Sequence, residues 1–245
     1  MSNQAAASPA PPSPAAPTTS LLQAIVSTAL LAGWIAWQWG WVAAVAGVIG
    51  VFVHEYGHVL AMNALGYGPG RIQIIPFFGG AATPKRPPTS EFHGVLIALA
   101  GPVFGLVAMA PFFLVFAVTG DSRWLGGALF VASINLLNLA PVSPLDGSKA
   151  VGPLLARIHP WLERFAVVAI AALALLWAIR NGQILLGGVA VLGALGALRS
   201  GRLRPWAAPL TAGQWILALS AYLLAMALCA GSAVALVNGG ALFRS

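Results

Sequence analysis

Residues 52–66 read FVHEYGHVLAMNALG and place three ionisable side chains within an otherwise apolar segment. His54 and His58 are four positions apart, so on a helix both imidazoles lie on one face, a turn apart. This is the spacing of the H-E-x-x-H zinc motif, in which two histidines bind the metal and the glutamate acts on the metal-bound water. The stretch therefore predicts two metal ligands, with Glu55 as a general base between them.

The composition of the chain indicates a membrane setting for this motif. Of 245 residues, 59% are hydrophobic and 7% are charged, whereas a soluble domain has about 25% charged residues. The mean hydropathy is +0.88. The net charge of +7 comes from basic residues between apolar segments, and no nucleic-acid motif accompanies it. We therefore expect an integral membrane protein that contacts the lipid bilayer and no nucleic acid.

Apolar stretches of about 20 residues predict an all-α polytopic helix bundle. The candidate spans are 21–39, 41–66, 92–118, 124–140, 161–179, 183–198 and 212–237. The stretch 183–198 is short and rich in glycine, so six spans are the alternative to seven.

The same pattern divides the chain into four parts. Residues 1–20, rich in Ala, Pro and Ser and without charge, predict a disordered tail. Residues 21–40 form the first span, 41–158 the membrane core that carries the motif, and 159–245 additional C-terminal spans.

The distribution of Lys and Arg predicts the orientation of the bundle. With seven spans, nine of the 12 basic residues fall on the N-terminal side of the membrane and three on the other. The three are Arg123, Arg180 and Arg244. The N-terminus is therefore predicted to be cytoplasmic.

The loop 67–91 contains RIQIIPFFGG at 71–80, a strand-like run that ends in a glycine pair. It predicts a short strand or hairpin at the membrane edge. An ordinary connection rich in Pro and Gly is the alternative.

A catalytic zinc ion commonly has a third protein ligand, and Asp146 is the best candidate. It follows an apolar run in NLAPVSPLDG, residues 138–147, and does not fit the span-boundary positions of most acids in the chain. Pro141 and Pro144 should break the fourth span and let the carboxylate turn inward. The second and fourth predicted spans run in the same direction, which brings both polar groups towards the N-terminal side. The alternative without a metal is that the two histidines hydrogen-bond to neighbouring helices and that Glu55 is a paired buried acid.

Asn135 and Asn138 are three residues apart and share a helix face. We assign Asn138 to the metal cavity. For Asn135 the choice between the cavity and an ordinary interhelical hydrogen bond stays open.

These two motifs, HEYGH at 54–58 and NLAPVSPLDG at 138–147, resemble those of the site-2 protease family of intramembrane zinc metalloproteases. The resemblance covers roughly residues 41–155. It implies that His54, His58 and Asp146 bind Zn²⁺ and that Glu55 is the general base and then the acid. It also implies that Asn138 helps to position the substrate or to stabilise the oxyanion.

The resemblance further implies that the strand-like segment 72–78 offers its edge to an unwound substrate. The residues expected to contact that substrate are Ile72, Ile74, Phe77, Gly79 and Gly80. The chain departs from the family in one respect. The family often has G-P-x-x-N in the third span, whereas Gly101-Pro102 is followed by Gly105 in place of the Asn, so one polar contact is missing or supplied elsewhere.

The function implied is a zinc-dependent endopeptidase that hydrolyses peptide bonds in or near transmembrane segments. Its expected substrates are single-pass membrane proteins, such as anti-sigma factors or other membrane-tethered regulators. Its expected place is a bacterial inner or plasma membrane, with the active site towards the cytoplasm. Two alternatives are a transporter or channel with His54, Glu55 and Asp146 as its ion pathway, and a non-proteolytic membrane protein that binds partners.

Overall fold

The computed structural model describes residues 21–75, 79–142, 145–180 and 207–242, with isolated positions between 181 and 206. The described helices are α1 Leu21–Trp39, α2 Trp41–Ala64, α3 Glu91–Val107, α4 Ala110–Thr119, α5 Arg123–Asn138, α6 Asp146–Ile158, α7 Pro160–Arg180 and α8 Ala212–Leu242. Strands β1 Arg71–Ile75 and β2 Gly79–Thr83 lie between α2 and α3. The predicted tail at 1–20 lies outside the described residues, as does most of the predicted span at 183–198.

Four of the described helical segments are long and apolar enough to cross a membrane, as expected of a membrane protein. They are Trp41–Ala64, Glu91–Thr119, Trp161–Arg180 and Ala212–Val237, and they match four of the predicted spans. Helix α5, predicted as the span 124–140, has 16 residues. At about 1.5 Å per residue it is shorter than the roughly 30 Å hydrocarbon core. The count of six or seven spans is therefore not confirmed.

Helix α2 carries the HEYGH motif through the middle of the bundle. It runs for 24 residues without a proline, and its buried face is rich in alanine and glycine. These small side chains let neighbouring helices approach closely. At Gly57, a β carbon would lie 2.6 Å from the carbonyl oxygen of Ala100 on α3. Helix α2 therefore packs backbone to backbone against α3, and it also contacts α5.

The predicted third span, 92–118, is divided into two helices. Helix α3 ends at Val107, and α4 begins at Ala110 with a proline at its start. Pro111 has no N–H group for the carbonyl four residues before it, so the hydrogen-bond ladder is interrupted there. The two helices together still form one candidate membrane span, Glu91–Thr119.

The C-terminal helix α8 packs against α3, α5 and α6. The indole Nε1 of Trp215 donates to the carbonyl of Leu154 at 2.9 Å. Before α8, Ala208 forms a parallel bridge with Ser90, next to the start of α3. The buried cluster around Val95 draws side chains from α3, α6 and α8. Helix α8, which lies in the predicted C-terminal part 159–245, thus packs directly against the predicted core 41–158. The division of the chain at residue 158 stays a prediction.

Strands β1 and β2 form an antiparallel hairpin, which confirms the hairpin predicted in the loop 67–91. The register pairs Arg71 with Thr83 and Ile75 with Gly79. Strand β2 contacts α2, and α1 contacts both strands. The hairpin therefore lies across the end of α2 that carries the motif.

Candidate metal centre

His54 and His58 lie one turn apart on the buried face of α2. Their exposed fractions are 3% and 5%. The ring centroids are 4.8 Å apart and the ring planes are nearly perpendicular, at 85°. The helical spacing thus brings two imidazoles to one point, as the sequence predicts.

Asp146 reaches the same point from the first turn of α6. Helix α5 ends at Asn138, and the chain turns before α6 begins at Asp146. The turn is tight, because Gly147 lies directly against the carbonyl oxygen of Leu139 and a β carbon would overlap it. A carboxylate at a helix N-terminus is also favoured by the helix dipole. The predicted break after the fourth span therefore directs Asp146 into the protein interior, where it is buried.

Three donor atoms converge at this point. The Oδ2 atom of Asp146 lies 3.0 Å from Nε2 of His54 and 2.9 Å from Nε2 of His58. The two Nε2 atoms are 3.2 Å apart. The three residues that the sequence assigns as ligands are thus brought together, and they could hold a metal ion.

The other ring nitrogens determine which tautomers are present. Nδ1 of His58 donates to the carbonyl of Ile97 at 2.7 Å. Nδ1 of His54 is 2.9 Å from Oδ1 of Asn135. The Asn135 amide is oriented by its own bond from Nδ2 to the carbonyl of Val131, at 2.8 Å, so Oδ1 must be the acceptor from His54. Both imidazoles therefore carry their proton on Nδ1.

This donor set fits a cation. With Nδ1 protonated, each neutral imidazole presents the lone pair of Nε2, and the carboxylate of Asp146 is also an acceptor. Three buried acceptors at such short separations repel one another unless a positive charge lies among them. Imidazole and carboxylate ligands are those of many zinc sites, and a partner on the second ring nitrogen is a general feature of metal-binding histidines.

Gly101 of α3 provides the space beside these atoms. A β carbon at this position would lie 2.8 Å from Nε2 of His54 and would overlap the ring of His58. The backbone of α3 therefore forms one wall of the space where the three donor atoms converge.

The second carboxylate oxygen of Asp146 has a cationic partner. Lys149 lies one turn after Asp146 on α6, and its Nζ donates to Oδ1 of Asp146 at 2.8 Å. Helix α6 lies outside the four candidate membrane spans. Burial opposes ionisation of Asp146. A histidine that carries a proton on Nε2 donates a hydrogen bond to this carboxylate, and the charge of Lys149 also stabilises the ionised form. Together, the hydrogen bonds from His54 and His58 and the charge of Lys149 outweigh burial. They hold the pKa of the Asp146 carboxyl well below its usual range.

Glu55 follows His54 on α2 and lies against the hairpin. It is buried, and a β carbon at Gly80 of β2 would lie 2.6 Å from its Cγ atom. Glu55 lines a cavity of about 630 Å³ together with His58, Asp146 and Gly80. The cavity thus brings a candidate base, two candidate ligands and the backbone of a strand to one place.

The remaining predicted residues lie at different distances from this cavity. Asn138 lines it, while its Nδ2 donates to the carbonyl of Ile134 at 3.2 Å. Of the five predicted substrate contacts, Gly80 lines the cavity. Ile72, Ile74 and Gly79 lie in the hairpin strands. Phe77 is outside the described residues. Residues from the next part of the chain, among them Pro84, Pro88, Glu91 and Gly94, complete one side of the cavity and were not predicted.

The sequence left open whether Asn135 lies in the metal cavity or makes an interhelical hydrogen bond, and in the structure it makes a hydrogen bond from α5 to His54 of α2. The signal for it was present, because Asn135 lies eleven residues before Asp146 on an apolar helix and has no membrane-boundary role. The sequence alone could not show that α5 is rotated to turn this amide towards α2.

Comparison with protein-family models, with characterised proteins and with solved structures found no match for this chain.

Proposed function

We propose that the protein is a zinc-dependent intramembrane endopeptidase that hydrolyses peptide bonds of membrane-bound proteins. The observation that carries this proposal is the convergence of His54, His58 and Asp146 beside Glu55, at a cavity that His58, Asp146 and Glu55 line. A transport site would need ionisable groups along a path, whereas these groups meet at one point.

His54, His58 and Asp146 would hold Zn²⁺ through Nε2, Nε2 and Oδ2. Zinc in such a site lowers the pKa of its water to about 7 and polarises a carbonyl. Glu55 accepts the proton of the attacking water as the oxygen bonds to the peptide carbon. It then delivers that proton to the amide nitrogen as the C–N bond breaks, so the products are a carboxylic acid and an amine.

The hairpin would present the substrate to Glu55. Strand β2 passes against Glu55 at Gly80, and an extended segment could pair with a strand edge by main-chain hydrogen bonds. Asn138, also in the cavity wall, would hydrogen-bond to the peptide group. The half-buried or buried lining includes Ala81, Ala82 and Ala98, whose small side chains leave room for those of the substrate.

The setting proposed is a bacterial inner or plasma membrane, with a cytoplasmic N-terminus and the active site towards the cytoplasm. With seven spans, the excess of Lys and Arg on the N-terminal side supports this orientation. The proposed substrates are single-pass membrane proteins, such as anti-sigma factors and membrane-tethered regulators, because a single span can enter the bundle as one segment.

The test is to trap a substrate with Glu55→Gln. The purified full-length variant should contain about one zinc per chain, as the wild type should. It should retain single-pass membrane proteins that the wild type cleaves. Asp121→Asn, which changes a partly exposed acid paired with Arg123, is the control and should cleave normally. Full cleavage by Glu55→Gln would overturn the mechanism. Ion flux in proteoliposomes without any cleavage would support the transport alternative instead.

A further inference from the structure

Asn135 is the most deeply enclosed polar residue near the metal centre. Its exposed fraction is 0%. Both ends of its carboxamide are used: Oδ1 accepts from Nδ1 of His54, and Nδ2 donates to the carbonyl of Val131. An amide held at both ends cannot exchange its oxygen and nitrogen without losing both bonds. It therefore presents one fixed acceptor to His54.

The space that Asn135 occupies is also the space in front of Gly105 on α3. A β carbon at Gly105 would overlap Oδ1 of Asn135 and would lie 2.5 Å from both Cγ and Nδ2. Helix α3 can lie this close to α5 only because residue 105 has no side chain. A side chain at 105 and the carboxamide of Asn135 thus exclude each other.

We propose that Asn135 is a positioning residue for the metal centre, and that Gly105 and Asn135 are an exchangeable pair. Asn135 keeps the proton of His54 on Nδ1, so Nε2 is free to bind the metal, and Gly105 gives Asn135 the room to do so. A carboxamide introduced at 105 would enter the same space from α3, provided that the side chain at 135 is shortened. The inference rests on the metal centre of the proposed function. It does not require that the protein cleaves peptide bonds.

A merely structural asparagine would behave differently. If Asn135 only joined α5 to its neighbours, its loss would lower the stability of the fold and leave the affinity for metal intact. A positioning role instead predicts that metal affinity falls in folded protein, since removing a partner of a metal-binding histidine typically costs about 10- to 100-fold in affinity.

The first test measures the dissociation constant of Zn²⁺ for purified full-length protein by competition with a chelator. Asn135→Leu should weaken binding by about 10- to 100-fold. Asn135→Asp, which still offers an acceptor to Nδ1, should bind close to the wild type. Ser133→Ala, on the exposed face of the same helix, is the matched control and should bind normally. Wild-type affinity in a folded Asn135→Leu variant would overturn the proposal.

The second test exchanges the pair. Gly105→Asn alone should weaken zinc binding, because the new side chain displaces Asn135. Gly105→Asn combined with Asn135→Ala should bind more tightly than either single variant. If the double variant is no tighter than Asn135→Ala, the two positions do not share one role, and the exchangeable pair is disproved.

A third measurement does not depend on any variant folding. In wild-type protein loaded with Zn²⁺ and labelled with ¹⁵N-histidine, both zinc-bound rings should carry their proton on Nδ1. A zinc-bound ring with its proton on Nε2 would overturn the assignment. These readouts separate the two proposals: zinc binding that depends on Asn135 without proteolysis would refute the peptidase alone, and unchanged binding in the variants would refute this inference alone.

Discussion

The hydroxyl of Tyr222, on α8, donates a 2.8 Å hydrogen bond to the main-chain carbonyl of Leu139, the residue that follows α5. The same carbonyl lies against Gly147, the neighbour of Asp146. Helix α8 thereby supports the turn that presents Asp146, a candidate metal ligand. The loss of one hydroxyl on α8 should therefore be felt at a site in the middle of the chain.

Tyr222→Phe should destabilise the fold and weaken metal binding. The substitution leaves the carbonyl of Leu139, a fully buried residue, without its hydrogen-bond donor. An unsatisfied buried carbonyl costs about 1–3 kcal/mol. Thermal unfolding and the zinc dissociation constant measure the two effects. Tyr56→Phe, at an exposed tyrosine of α2, is the control for stability. An unchanged unfolding temperature in Tyr222→Phe would show that this hydrogen bond is dispensable.

Gly101→Ala should abolish metal binding without breaking α3. Alanine is a better helix former than glycine by about 1 kcal/mol, so the substitution does not weaken the helix itself. The added methyl group would overlap the ring of His58, in the space where the donor atoms converge. Zinc content by mass spectrometry and helicity by circular dichroism test this separation.

The control for Gly101→Ala is Gly126→Ala on α5, where a β carbon meets no atom within 4 Å. It should bind zinc as the wild type does. Stoichiometric zinc in Gly101→Ala would mean that the metal lies elsewhere.

Gly80→Ala should reduce proteolysis while zinc stays bound. The methyl group would lie 2.6 Å from Cγ of Glu55, so strand β2 and the carboxylate must move apart. The proposed zinc ligands are on α2 and α6 and should keep their contacts with one another. The measurement is the cleavage rate of a substrate trapped with Glu55→Gln, beside the zinc content. Thr83→Ala, at the exposed end of β2, should cleave normally, and equal rates for both variants would contradict the role of Gly80.

Lys149→Met should change zinc affinity only slightly, although its ion pair with Asp146 is short. The lysine side chain is 60% exposed, although that of Asp146 is buried, so solvent screens the ammonium charge and the pair should contribute about 1 kcal/mol or less. We therefore expect less than about a fivefold change in the dissociation constant, a smaller effect than for Asn135→Leu. A change as large as that of Asn135→Leu would show that Lys149 contributes more than solvent screening allows.

Much of the architecture could be predicted because periodicity and apolar length are local properties. The helix that carries His54 and His58, the hairpin in 67–91 and four long apolar helices follow from them. The shortness of α5 was missed because its apolar run continues beyond Asn138 into residues that leave the helix. The division at Ala108–Met109 does not follow from these local properties, because Pro111 lies within a continuous apolar run and membrane helices tolerate proline.

The convergence of the two candidate ligands on α2 could be predicted because His54 and His58 belong to a motif with fixed spacing. The partners of the second ring nitrogens of these histidines could not be predicted. The carbonyl of Ile97 carries no sequence signal, since every residue has one. Asn135 was a visible candidate, but its assignment depends on the rotation of α5 and on the missing side chain at Gly105. The carboxamide of Asn135 fills the space in front of Gly105 from across the helix interface, which a single sequence does not reveal.

The contact between Gly80 and Glu55 bears on the form in which a substrate of the proposed peptidase would be cleaved. Pairing with the edge of β2 needs free main-chain N–H and C=O groups, and in an intact α-helix these groups are already bonded to one another. A helical substrate would therefore have to unwind before its peptide bonds reach Glu55. Selection among membrane segments would then depend on local helix stability: glycine or proline near the cleaved bond makes unwinding easier, and an unbroken run of leucine and alanine resists it.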